Sequence, residues 1–182
     1  MDSNELRAAI EAILLTASGP ATVPAVVEAL DDPEIDADSV TAVLQQVAEG
    51  WARDDSGIRV EKVAGGWRCV TPPAVDGVLR AFHGIVARQR LSQAALEVLA
   101  IAAHRQPVTL PEINFIRGAN SASVVRTLVE RKLLRMAGRK KVVGKPFLYR
   151  TSKDFLLHFG LERPEDLPDP EELLKDDTIG VD

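Results

Sequence analysis

Cysteine is almost absent from this chain of 182 residues, with Cys69 its only representative. An intrachain disulfide is therefore excluded, and so is a cage of thiolates around a metal. Histidine is scarce as well. His83, His104 and His158 stand far apart, none with a carboxylate or second histidine at the H-E-x-x-H spacing that binds zinc. No apolar run approaches the roughly 18 residues that a membrane-spanning helix requires. The opening Met1-Asp2-Ser3-Asn4-Glu5 is acidic where a signal peptide is basic. The expectation is a soluble, cytoplasmic chain.

The usual catalytic arrangements are missing too. Ser92 and Ser121 lie outside any G-x-S-x-G elbow and read as helix caps. Cys69 falls in a predicted strand, where a buried and inert thiol is expected. Gly138-Arg139-Lys140-Lys141-Val142-Val143-Gly144-Lys145-Pro146 superficially resembles a phosphate loop. A true one needs four residues between its glycines and Ser or Thr after the lysine, whereas five intervene here and proline follows. The sequence thus predicts no enzyme and no cofactor.

What the chain does have is segregated charge. Residues 1–90 carry 8 Lys/Arg against 14 Asp/Glu, a net −6. Residues 91–163 carry 13 against 5, net +8, and residues 164–182 carry 1 against 8, net −7. Blocks of opposite sign point to separate surfaces with separate partners.

Hydrophobic periodicity gives the architecture. Leu6, Ala9, Ile10, Ile13 and Leu14 fall on one helical face, with Asp2 and Glu5 as a capping pair. Ser18-Gly19-Pro20 ends that helix, and Thr22 caps a short one bearing Val23, Val26, Val27 and Leu30. A third helix aligns Val40, Val43, Leu44, Val47 and Trp51. The period then shortens: Ile58–Glu61 and Trp67–Thr71 alternate as strands around Ala64-Gly65-Gly66, whose two glycines are expected at positive φ. Val75, Val78, Leu79, Phe82 and Val86 predict a helix closing this core.

Residues 91–160 repeat the order at an offset of about 85 residues. Ser92 caps an apolar helix, Thr109 and Glu112 form a T-x-x-E capping box, and Asn120 or Ser121 caps a third helix with Val124, Val125, Leu128 and Val129. Leu133–Met136 and Phe147–Tyr149 make a second hairpin, and Phe155, Leu156 and Phe159 close the unit. The predicted class is mainly α with small β-hairpin wings (α+β), as two tandem winged-helix domains. Residues 1–88 form one, 89–163 the other, with a short linker near Ala87–Arg90 and an acidic, disordered tail over 164–182.

The basic hairpin allows three readings. Arg139, Lys140, Lys141 and Lys145 on the wing, with Arg126, Arg131, Lys132 and Arg135 before it, suit DNA, where a winged helix sets its third helix in the groove and its wing on phosphates. They equally suit a docking face for an acidic peptide, or a solvated hairpin whose charges discourage edge pairing. A pI near 5.3 is low for a dedicated DNA binder.

The second half carries a dense linear signature. It runs Leu91-Ser92-Gln93-Ala94-Ala95-Leu96-Glu97, Arg105-Gln106-Pro107-Val108-Thr109, Glu112-Ile113, Ile116-Arg117-Gly118, Asn120-Ser121, Gly138-Arg139-Lys140, Gly144, Pro146, Leu148-Tyr149 and Phe159-Gly160-Leu161. With Val63-Ala64-Gly65-Gly66-Trp67-Arg68 in the first half, this resembles the segregation and condensation protein B family, the winged-helix partner of the bacterial SMC–kleisin complex. It departs from the family pattern at His104 and Ala119. The resemblance implies a non-catalytic adaptor, dimeric through its N-terminal domain and associated with the nucleoid. It would bind the kleisin subunit and, through that, the SMC ATPase, so that any DNA association is indirect. Arg117, Gly118, Asn120 and Ser121, a cation beside a helix start, together with Arg139 and Lys140, are the candidate partner-binding residues. Arg126, Lys132, Lys141 and Lys145 are the DNA-contact candidates under the alternative of a winged-helix transcriptional regulator. Under the adaptor reading, helix 92–104, apolar almost all round, is expected to be covered on every side.

Overall fold

Asp2 opens the first helix as its pattern requires. In the computed structural model, which describes residues 1–84 and 90–169, its Oδ1 accepts from the Asn4 and Glu5 N–H groups at 2.8 and 2.9 Å. Glu5 answers by accepting from the Asp2 N–H at 2.8 Å, completing a capping box. The chain divides into two compact units, Met1–Gln89 and Arg90–Asp182.

The first unit holds α1 (Ser3–Thr16), α2 (Val23–Leu30) and α3 (Ala37–Trp51), then β1 (Arg59–Val63) and β2 (Gly66–Val70) as an antiparallel hairpin. Leu6, Ile10 and Leu14 of α1 meet Val26 of α2, Val40, Leu44 and Val47 of α3, and Trp67 of β2. Each such aliphatic side chain taken out of water contributes about 1.5–3 kcal/mol. Ala21 supplies a rudimentary third strand. Its N–H donates to the Trp67 carbonyl at 2.8 Å, and the Trp67 N–H donates back at 2.9 Å.

Two details depart from the sequence expectation. The positive-φ residues of the hairpin are Ala64 (φ 51°) and Gly65 (φ 75°), not the glycine pair. Gly66 is instead the first residue of β2, and a Cβ there would lie 2.9 Å from the Ala21 carbonyl oxygen. Glycine is needed at 66 for close approach of two backbones, not for the turn. Nor does α4 (Asp76–His83) seal the core: Val78 is 72% exposed and Phe82 82%. Val86, expected on the closing helix, Ala87–Gln89, expected in the linker, and Pro170, Glu171 and Glu172, expected in the tail, lie outside the described residues.

The second unit comprises α5 (Gln93–Arg105), β3 (Val108–Thr109), α6 (Leu110–Arg117), α7 (Ala122–Glu130), β4 (Leu134–Arg139), β5 (Phe147–Thr151) and α8 (Lys153–Phe159). Its sheet runs β3-β5-β4, all antiparallel, with a register shift between Met136 and Arg139. Val98, Leu99 and Ala102 of α5 pack with Ile113, Leu128, Leu134 and Phe155. Both units enter their second helix through a matching peptide, Pro20-Ala21-Thr22-Val23-Pro24 and Pro107-Val108-Thr109-Leu110-Pro111. In each, the residue after the first proline bonds to the sheet and the threonine caps the helix. Three helices with a hairpin wing, made twice, is a pair of winged helices.

Helix α5 is not covered on every side. Leu96 is 43% exposed, and Ala100 and His104 share its open stripe. Residues 164–169, assigned to the acidic tail, begin as part of the second unit. Pro164–Asp166 forms a 3-10 turn, Arg163 N–H donates to Asp166 Oδ2 at 2.8 Å, and Leu167 packs against the core.

Candidate partner-binding surface

The turn from α6 to α7 is built by polar side chains bonded to their own neighbours. Gly118 ends α6 in the left-handed conformation (φ 72°). Asn114 Oδ1 accepts from the Ser121 N–H at 2.8 Å, and Asn120 Oδ1 from the Ala122 N–H at 3.0 Å. Ser121 is wholly buried, and its hydroxyl donates to the Ala119 carbonyl at 3.1 Å. It is not a side-chain cap; Asn120 serves that end of α7.

Arg117 lies beneath this turn. Its Nε donates to Glu97 Oε2 on α5 at 2.9 Å and Nη1 to Ser121 Oγ at 3.4 Å, leaving the side chain 17% exposed. The guanidinium holds the Glu97 carboxyl below its ordinary range. Arg117 and Ser121 thus tie α5, α6 and α7 together, while Gly118 and Asn120 stay on the surface.

The wing is similarly self-bonded at its base. The Arg139 guanidinium stacks 3.8 Å over the Phe147 ring and donates to the Lys145 carbonyl at 3.0 Å. Lys140 Nζ lies 2.6 Å from Glu112 Oε1. The other oxygen of Glu112 accepts from Thr109 N–H at 2.8 Å and Thr109 Oγ1 at 2.6 Å. Lys140, and behind it Thr109, pull the Glu112 carboxyl down to about 2. Lys141 and Lys145 stand exposed at the wing tip beside Val142 and Val143. Arg126 pairs along its own helix with Glu130 at 2.9 Å, and Lys132 adopts positive φ (60°) where α7 turns into β4.

Sequence reasoning missed the most exposed apolar side chain of α6. Phe115 is 88% exposed at one wall of an open groove of about 560 Å³, with Arg105, Pro107, Val108, Pro111, Glu112 and Ile116. The signal was available: with Ile113 buried, a residue two places on is turned about 200° round the helix. Cys69 is half-buried rather than buried, and the surrounding protein pushes its thiol pKa up. Among the described residues no group of three or more His, Cys, Asp or Glu could hold a metal, and no helix is long and apolar enough to cross a membrane.

Two winged helices in tandem, each with large apolar side chains exposed, define the class of protein. Within that class, the chain belongs to the family described as segregation and condensation complex subunit ScpB, whose model matches residues 8–170. It is 39% identical over 171 residues to segregation and condensation protein B of Moorella thermoacetica, spanning 94% of this chain and 86% of that one. The counterpart from Syntrophotalea carbinolica is 40% identical over 169 residues, covering 92% and 83% of the two chains. Among solved structures, ScpB from Mycobacterium tuberculosis matches at 34% identity and a TM-score of 0.42, over 88% of this chain and 98% of that one.

Proposed function

We propose that this chain is a non-catalytic adaptor that binds, as a homodimer, the kleisin subunit of an SMC complex and so acts on the nucleoid in chromosome condensation and segregation. Membership of a family of complex subunits, matched over residues 8–170, is the observation that carries the reading. The domain roles follow the resemblance: residues 1–88 dimerise, 89–163 bind the partner, and 164–182 form an acidic extension. Exposed Val78 and Phe82 supply the first with an apolar surface, and Phe115 and Ile116 supply the second.

The candidate contact residues divide by role. Gly118 and Asn120 face the partner from the α6–α7 turn, and Arg117 and Ser121 hold that turn in place. Arg139 and Lys140 contribute from the wing, giving the basic unit a cationic rim for an acidic segment. A transcriptional regulator reading DNA through α7 has less support, because the family matched over residues 8–170 is one of complex subunits.

Light scattering on a size-exclusion column tests the proposal, with the chain alone and then mixed with the kleisin of the same genome. A dimer that moves to a larger, stable species at moderate salt is the expected result. A monomer whose elution ignores the kleisin overturns it.

A further inference from the structure

Arg135 of β4 and Arg150 of β5 are direct partners across the antiparallel ladder of the second wing. Side chains so placed have Cβ atoms about 5 Å apart on one face, and like charges in that position destabilise the pair. The neighbouring pairs fix the face. Leu134 opposite Thr151 is buried, and Met136 and Tyr149 line a cleft with Val125 and Val129 of α7. Alternation along the strands therefore turns Arg135 and Arg150 to the opposite, outer face, where both are exposed.

Two further cations lie just beyond the strand ends. The Ser152 N–H donates to the Leu133 carbonyl at 3.2 Å and the Ser152 hydroxyl to the Lys132 carbonyl, which ties the segment before β4 to the segment after β5. Lys132 and Lys153 thereby stand on adjoining segments at the open end of the hairpin, and both are exposed. Arg135 and Arg150 have no carboxylate partner among the described residues, in contrast to Lys140, bonded to Glu112, and Arg126, bonded to Glu130. Protection of a sheet edge would account for a cation on β4, the outer strand, but not for Arg150 on β5, the central one.

We infer that the outer face of β4–β5, through Arg135 and Arg150, is a sequence-independent contact for the phosphates of duplex DNA. Two exposed arginines held side by side against their own repulsion, with Lys132 and Lys153 just beyond the strand ends, fit a polyanion whose charges recur along its length. Arginine adds bidentate geometry for phosphate oxygens. The choice of duplex DNA over other polyanions rests on the proposed place in a chromosome complex. The surface differs from the groove at Phe115 and from the α7 and wing-tip cations.

Fluorescence anisotropy with a labelled duplex, using the full chain at low and at physiological salt, tests the inference. The wild type should bind weakly at low salt and lose affinity as salt rises. Arg135→Gln with Arg150→Gln should weaken binding about tenfold and lower the salt slope by about 2, since each phosphate contact contributes about 0.9. Arg135→Lys with Arg150→Lys should recover most of the loss. Lys141→Gln with Lys145→Gln, at the wing tip, should lose less than the arginine pair, and Arg59→Gln, an exposed cation of the first unit, should bind within about twofold of wild type. The glutamine variant should melt no lower than wild type, because a like-charge pair has gone. No binding by the wild type at low salt overturns the inference, as does loss confined to the wing-tip variant, or equal competition by a polyglutamate peptide. Kleisin co-elution of the glutamine variant separates the two readings. If it persists while wild-type DNA binding is absent, only the DNA surface fails; if DNA binding stands without co-elution, only the kleisin reading fails.

Discussion

Lys140 on the second wing and Glu112 in the first turn of α6 are 28 residues apart in sequence and 2.6 Å apart in space. The same carboxylate caps α6 through Thr109. One side chain therefore fixes both the start of a helix and the base of a hairpin. Glu112→Ala should destabilise the second unit by about 1–2 kcal/mol, adding a lost cap to a lost surface ion pair. Glu112→Gln, which keeps the capping geometry, should cost less. Thermal melts at neutral pH distinguish the two, since about 1 kcal/mol moves the midpoint of a small domain by about 4–8 °C.

The same carboxylate gives a pH dependence of known sign. Its folded pKa of about 2 lies below the ordinary 4.5, so its stabilisation is complete above pH 4.5 and lost as pH falls toward 2. Denaturant titrations across that window should show a stability decline that Glu112→Gln flattens. A variant as steep as the wild type would mean that other carboxylates govern the acid limb.

Gly66→Ala should disrupt the first unit. Its new Cβ would meet the Ala21 carbonyl oxygen at 2.9 Å and part the two hydrogen bonds between Ala21 and Trp67. A cost of about 1–3 kcal/mol is expected for overpacking against backbone. Gly57→Ala, with open space around it, serves as the control. Tryptophan fluorescence during unfolding, from Trp51 and Trp67 of the first unit, reports the difference.

Arg117→Ala should act first on stability. Removing the guanidinium leaves Glu97 without its partner and the buried Ser121 hydroxyl without one of its contacts. A loss of about 1 kcal/mol follows from removing the hydrogen bonds of the part-buried Arg117, since the Glu97 end of the pair is 42% exposed. Asn120→Ala, at an exposed position, should cost only about 1 kcal/mol as a lost cap. If the turn faces the kleisin, Asn120→Ala should weaken that complex at unchanged fold, judged by circular dichroism and titration calorimetry.

Val78→Asp with Phe82→Asp tests the dimer. Both side chains are exposed in the single chain, so the melting temperature of a monomer should hardly change. If α4 forms the dimer surface, light scattering should report a monomer. A dimer that survives would place the contact elsewhere on the first unit.

The order of elements was legible in the sequence because each depends on neighbours along the chain. The capping pairs Asp2–Glu5 and Thr109–Glu112, the 3.6-residue apolar stripes and the alternating strands are local signals, and the structure reproduces them. Glycine 66 was misread because its constraint comes from Ala21, 45 positions earlier, and not from its own turn. Helix α4 was assigned to the core on its amphipathic pattern, which states that one face is apolar but not what covers it.

The surface was decided by tertiary structure alone. Sequence grouped Arg135, before the wing, with Arg139 and Lys140 on it as one basic surface; strand register sends Arg135 to the outer face beside Arg150, while Arg139 stacks on Phe147 and Lys140 reaches Glu112. Likewise Arg117, which composition presents as an available cation, is committed to Glu97, twenty residues upstream. Helix and strand follow from short-range sterics and hydrogen bonding. Which charges remain open depends on the groups that folding brings beside them, and linear order does not carry that information.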